Sequence, residues 1–165
     1  MKNKEELIDD LLDLAFAEDV GDGDHTTLST IPADAMGRSR LLVKEEGIIA
    51  GIDVAIKVLH RVAPSITVEV MMHDGDHVKP GDVAFIAAGP VRSLLVAERT
   101  MLNIMQRMSG VATMTHRYQQ ELAGLKTRVL DTRKTTPGMR MLEKDAVRIG
   151  GGMNHRIGLF DMILI

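Results

Sequence analysis

The chain has 165 residues, of which 45% are hydrophobic and 26% charged, with a net charge of −3. That is an ordinary globular composition with material for one good core or two small ones. It has no apolar run near the ~20 residues of a membrane helix and no apolar signal segment after Met1-Lys2-Asn3-Lys4-Glu5-Glu6. The lack of cysteine excludes disulfides, thiolate metal sites and cysteine nucleophiles, and it fits a reducing cytoplasm.

Leu7, Leu11, Leu14 and Ala15 recur at helical spacing behind Asn3 and Glu6, which have the form of a capping box, so a helix is predicted over 4–17. An acidic, glycine-punctuated loop follows over 18–24. Residues 37–45 read as a strand. Asp53 is placed to cap a helix over 54–62 whose Ala55, Val58, Leu59 and Val62 face inward. Ile66, Val68 and Val70 alternate as in a half-buried strand. Turn signals at His73-Asp74-Gly75-Asp76 and Lys79-Pro80-Gly81-Asp82 precede a short strand over 83–87.

After Gly89-Pro90 the apolar stripe Val91, Leu94, Leu95, Leu102, Met105 predicts a long helix ending near Ser109-Gly110. A second helix is expected over 112–123, closed by Gly124. Then come a strand at 128–130, a polar loop at 131–138, a helix at 139–149, a glycine triplet and a strand at 162–165. This strand–helix–strand rhythm is that of a parallel α/β unit, such as part of a barrel. The expected fold class is α/β: an α+β portion over 1–110, then the start of an α/β barrel over 111–165. The chain stops in mid-strand with two of about eight barrel strands, so the barrel is expected to be incomplete and the chain to be a fragment that does not turn over alone.

Charge is unevenly spread. Residues 1–34 carry ten acidic side chains against Lys2 and Lys4, whereas 126–156 carry eight basic ones against Asp131, Glu143 and Asp145. A basic second half suits an anionic partner, or is simply a solvated surface. Nucleic acid is disfavoured, because Phe16, Phe85, Phe160 and Tyr118 are the only aromatic side chains offered for stacking. A small polyanionic metabolite fits better.

Three segments could meet it. Asp131-Thr132-Arg133-Lys134-Thr135-Thr136-Pro137-Gly138 lies between a predicted strand and helix, where parallel α/β folds bind ligands. Arg133 offers a planar fork for a carboxylate or phosphate, Lys134 a compact charge, and the threonines hydroxyl donors near a helix N-terminus. Gly150-Gly151-Gly152-Met153-Asn154-His155-Arg156 combines glycines, which permit close approach or positive φ, with three consecutive donor residues. Arg99 sits at the edge of the apolar stripe beside Asn103 and Gln106 and must snorkel or find a partner. Taken singly, each segment also reads as a capped turn, a flexible turn, or an edge arginine bonded to a neighbouring carboxylate.

Those two segments, together with Glu98-Arg99-Thr100-Met101-Leu102-Asn103, Gln106-Arg107-Met108-Ser109-Gly110-Val111-Ala112-Thr113 and Glu18-Asp19-Val20-Gly21-Asp22-Gly23-Asp24-His25-Thr26-Thr27, resemble the type II phosphoribosyltransferases that act on quinolinate. The resemblance implies an N-terminal α/β sandwich followed by an α/β barrel. It implies a homodimeric enzyme of NAD biosynthesis that joins quinolinate to phosphoribosyl pyrophosphate with Mg²⁺, giving nicotinate mononucleotide, pyrophosphate and CO₂. It also implies that Arg133, Lys134, His155 and Arg156 hold the two carboxylates, with Lys134 and His155 nearest the chemistry. Arg99 is similar to an arginine that enters the partner's site. The family's pattern continues past Ile165 with Lys-Asp-Asn-His and acidic residues for metal and phosphoribosyl binding, so no metal ligand is expected in this chain. The alternatives are a relative acting on another aromatic acid or linked to molybdenum uptake, or a folded fragment without activity.

Overall fold

The computed structural model describes residues 2–163. Its first helix, α1 (Lys4–Val20), begins with the expected capping box: Asn3 Oδ1 accepts from the Glu6 N–H at 2.9 Å, and Glu6 Oε2 accepts from the Asn3 N–H at 2.7 Å. The helix runs past the predicted end at residue 17. Asp24 then caps a short helix not read from the sequence, α2 (His25–Thr30), by accepting from the Thr27 N–H at 3.0 Å. The acidic excess of α1 is answered mainly by helix α3 (Ile52–Val62). Lys57 pairs with Glu5 at 2.9 Å and Asp9 at 3.1 Å, and Arg61 pairs with Asp9 and Asp13.

Strands β1 (Met36–Leu42), β2 (Gly47–Ile48), β3 (Thr67–Val70), β4 (His77–Val78) and β5 (Val83–Pro90) form two antiparallel sheets. The larger has the order β1-β5-β3. The smaller pairs Gly47 with Val78 and Ile48 with His77. Ala84, Phe85 and Ala87 of the central β5 are buried, as a strand with a neighbour on each side requires. Asp53 is not the cap of α3. Gly51 occupies the N-cap with φ +100°, and the Asp74 carboxylate reaches across to accept from the Gly51 and Ile52 N–H groups, both at 2.8 Å. A side chain 21 residues beyond the apparent cap supplies the acceptor, which no local pattern could reveal.

Helix α4 (Val91–Glu121) is continuous for 31 residues, so the predicted break at Ser109-Gly110 does not occur. Its buried stripe of Leu94, Ala97, Met101, Ile104, Met105, Met108 and Ala112 carries the core straight through that point. Ser109 serves the packing: its hydroxyl accepts from the Ala50 N–H at 3.0 Å and donates to the Ala50 carbonyl at 3.2 Å. One turn on, Thr113 Oγ1 accepts from the Ile48 N–H at 2.9 Å. The helix thus satisfies edge groups that β2 and the residues after it would otherwise leave unpaired. Helix α5 (Arg140–Ile149) adds Leu142 and Ala146 to the same core, and Lys4 pairs with Asp145 at 2.5 Å.

The parallel pairing expected of the second half is present in reduced form. Leu130 forms one parallel bridge with Met153, so the partner segment lies directly after the glycine triplet. The predicted strand at 162–165 is not seen at 162–163, and its last two residues lie outside the described ones. Gly150 makes its close approach to the protein itself: a Cβ there would collide with the Ala112 carbonyl of α4 and come within 2.9 Å of Thr115 Cβ. Gly151, with φ +89°, turns the chain back toward the bridge.

Candidate functional site

Asp131 organises the region. Its backbone N–H donates to the Met153 carbonyl at 3.1 Å, and the Met153 N–H donates to the Val129 carbonyl at 2.9 Å, completing the parallel bridge. Its carboxylate then gathers three donors. Lys144 Nζ of α5 lies 2.6 Å from Oδ1, the His155 N–H 2.8 Å from the same oxygen, and Asn154 Nδ2 2.6 Å from Oδ2. Lys144 also donates to the His155 carbonyl at 3.3 Å, and Asn154 Nδ2 to the Lys144 carbonyl at 2.8 Å. Both partners of the ion pair are only 5% exposed. The knot therefore fixes the start of the 131–138 loop against the 153–156 segment, and Arg133-Lys134 and His155-Arg156 emerge from adjoining stretches of backbone.

A second bracket holds the far side of the loop. Arg107 of α4 donates to Glu143 of α5 at 2.8 Å and to Thr136 Oγ1 at 3.2 Å, while Glu143 Oε2 accepts from the Thr136 N–H at 3.2 Å. Burial pushes the Glu143 carboxyl up, but the hydrogen bonds from Arg107 and Thr136 outweigh it, and the group sits below its ordinary range. Arg140 donates to Thr135 Oγ1 at 3.1 Å and to the carbonyls of Ile157 at 3.2 Å and Arg133 at 3.5 Å, lacing both segments to the first turn of α5.

These contacts divide the basic half into framework and remainder. Lys144, Arg140 and Arg107 are committed to internal partners. Asn154 is too, which corrects its reading as a free donor, and the hydroxyl oxygens of Thr135 and Thr136 already accept from arginines. Among the described residues Arg99, Arg133, Lys134, His155 and Arg156 form no ion pair. Arg99 is exposed on α4, Lys134 is exposed, and Arg133, His155 and Arg156 are half-buried. Arg133 Nε is completely buried yet has no hydrogen-bond partner. A buried donor left this way costs about 1–3 kcal/mol.

None of the five lines either of two cavities in the chain. One of about 620 Å³ lies between residues 41–49 and the Leu102–Arg117 face of α4, and one of about 340 Å³ lies between α1, α3 and α5. No cluster of three or more His, Cys, Asp or Glu side chains suited to a metal is present among the described residues. The sequence reading missed the framework roles of Lys144, Arg140 and Arg107. No sequence signal pointed to them: Lys144 stands two residues from both Leu142 and Ala146, on the opposite side of α5, where helical periodicity reads a solvated cation although the structure buries it.

Residues 24–109 match the N-terminal domain of quinolinate phosphoribosyl transferase and residues 111–165 match its C-terminal domain. The chain is 47% identical over 156 residues to a chloroplastic nicotinate-nucleotide pyrophosphorylase (carboxylating) of Oryza sativa, covering 94% of this chain and 42% of that protein. It is 43% identical over 159 residues to a probable nicotinate-nucleotide pyrophosphorylase of Synechocystis, covering 96% of this chain and 54% of the relative. NadC from Streptococcus pyogenes superposes with a TM-score of 0.92 at 41% identity, covering 94% of this chain and 55% of that one. The chain spans about half the length of the curated relatives it matches. With its α/β architecture and both family domains represented, the chain belongs to the quinolinate phosphoribosyl transferase family.

Proposed function

We propose that the 131–138 and 153–156 segments form the dicarboxylate clamp of a quinolinate phosphoribosyltransferase (decarboxylating) of NAD biosynthesis. Residues 1–110 belong to its sandwich portion and 111–165 to its barrel. The observation that carries the reading is Arg133 Nε, a buried donor without an acceptor beside arginines and a lysine that are already bonded to internal partners. An anion at the loop would supply the acceptor. Quinolinate has two neighbouring carboxylates, and Arg133, Lys134, His155 and Arg156 offer a matching set of donors.

In the reaction the pyridine nitrogen forms a bond to the anomeric carbon of phosphoribosyl pyrophosphate as the bond to pyrophosphate breaks, the leaving group keeping the electron pair. The sugar passes through an oxocarbenium-like state, so positioning and charge neutralisation supply much of the rate. The cationic ring then accepts the electrons released as CO₂ departs from the adjacent carbon, and a proton takes its place. Lys134 and His155 are the groups we assign next to this chemistry. Mg²⁺, a hard cation, would be held through the pyrophosphate oxygens and would neutralise the charge of the leaving group. The enzyme is read as a cytoplasmic homodimer, in keeping with the absence of cysteine and with Arg99 standing exposed on α4 for a partner's site.

The test is calorimetric titration of the chain with quinolinate and, separately, nicotinate, alongside Arg133→Ala. Quinolinate should bind more tightly than nicotinate, and the substitution should remove about 2–5 kcal/mol of that binding. Equal affinity for the two acids, or no effect of the substitution, would refute the clamp. Formation of nicotinate mononucleotide is then assayed on a protein of the relatives' full length.

A further inference from the structure

Strand β4 and helix α4 each bring one imidazole to the same point. His77 Nε2 and His116 Nε2 lie 3.2 Å apart, with ring centroids 4.9 Å apart and planes at 79°. The side-chain amide of Gln120, one turn beyond His116 on the same helix face, lies 2.9 Å from the same His116 nitrogen.

A plain hydrogen-bond reading does not satisfy this group. His116 Nε2 has either one lone pair or one hydrogen, and two polar groups meet it. A well-aligned N–H···N bond between two rings at this separation would also set the centroids about 5.5 Å apart, further than observed. The ring axes instead converge at an angle. Two imidazole nitrogens bound to one tetrahedral ion at about 2.0–2.1 Å stand about 3.3 Å apart, with their centroids about 5.2 Å apart. The nitrogen separation fits the pair as it stands, and the centroid separation lies nearer to this arrangement than to the hydrogen-bonded one. Turning the Gln120 amide, whose oxygen and nitrogen are interchangeable in such an arrangement, directs Oε1 to the same point.

The positions are also held without an ion. His77 pairs with Ile48 across the β2–β4 ladder, and Ile48 is fixed to α4 by Thr113, three residues before His116. We propose that His77, His116 and Gln120 form a binding site for a divalent transition metal of the Zn²⁺, Ni²⁺ or Cu²⁺ class, which fastens β4 to α4. Two imidazoles and an amide form a neutral donor set. Such a set favours these ions over the oxygen-seeking Mg²⁺ and Ca²⁺, with the tetrahedral spacing suiting Zn²⁺, and with Cu²⁺ serving as a spectroscopic probe of the same nitrogens. The site is independent of the clamp and of the activity proposed for it.

The test is titration of the purified, metal-free chain with Cu²⁺ and with Mg²⁺, followed by calorimetry and electron paramagnetic resonance. The chain should bind one Cu²⁺ with nitrogen hyperfine structure from two imidazoles, and excess Mg²⁺ should not displace it. His77→Gln and His116→Gln should each weaken binding about tenfold or more, while His73→Gln should leave it unchanged. Cu²⁺ or Zn²⁺ should raise the Tm of the parent chain but not of His77→Gln, an exposed position; circular dichroism checks that this variant is folded. Equal Cu²⁺ affinity in the parent and either histidine variant, or a spectrum with a single imidazole, would overturn the proposal.

Discussion

The carboxylate of Asp131 and the ammonium of Lys144 meet at 2.6 Å with both side chains almost wholly removed from water. The pair sits where the 131–138 loop leaves its bridge with Met153, and it also holds the backbone of His155. Taking away one member leaves the other buried and charged, so Lys144→Ala and Asp131→Ala should each cost about 3–5 kcal/mol of stability. The double variant should cost less than the sum, because it strands no charge. Urea unfolding of the three variants measures this. Additive losses would mean that the two side chains act independently.

Glu143 and Asp74 should give acid responses of opposite sign. The folded pKa of Glu143 is lowered, so its contribution is complete above the ordinary value of 4.5 and is lost as pH falls through the folded value. Asp74 is raised from 3.8, chiefly by burial, with the Ile52 and Gly51 N–H groups only partly offsetting it. Its contribution is complete below 3.8 and is lost as pH rises through the folded value. Glu143→Gln should therefore lower the urea midpoint near pH 7 and lessen its fall in acid. Asp74→Asn keeps an acceptor for both N–H groups, so it should hold or raise the midpoint near pH 7.

Arg107 spans Glu143 and Thr136 from a half-exposed position. Arg107→Ala should cost about 1.5 kcal/mol, the low end for a hydrogen bond to a charged group. Amide exchange should quicken at Thr136, whose N–H lies on the Glu143 carboxylate. Unchanged exchange there would show that the bracket does not hold the loop.

Gly150 leaves no room for a side chain against α4. Gly150→Ala should destabilise the chain by about 1–3 kcal/mol through overpacking, whereas Gly124→Ala, which meets no neighbour but has φ +82°, is strained only by its backbone. Thermal unfolding of the two variants separates contact from conformation. A neutral Gly150→Ala would show that α4 and the 150–152 segment can move apart.

If Arg99 enters a partner's site, inactive Arg99→Ala and Arg133→Ala subunits of full relative length should regain activity when mixed, because one site of the mixed dimer keeps both arginines. No recovery after demonstrated subunit exchange would place Arg99 in its own subunit's chemistry or outside it.

The sequence by itself determined what is local or periodic. The capping box at Asn3 and Glu6 needs only side chains three residues apart, and the stripe of α4 needs only the helical period. The ordered motifs identified the family because they bring rare residue combinations in fixed order. Tertiary structure decided which donors are spoken for. Asn154 and Arg133 look alike on paper as loop donors. One is used up by Asp131, 23 residues away, and the other is left buried without an acceptor. The same holds for Ser109-Gly110, which reads as a helix end. Burial of Met108 and Ala112, with a backbone partner at Ala50, outweighs the modest helix propensity of the pair. Capping of α3 by Asp74 has the same origin. In each case the deciding partner is distant in sequence, and only folding fixes its distance in space.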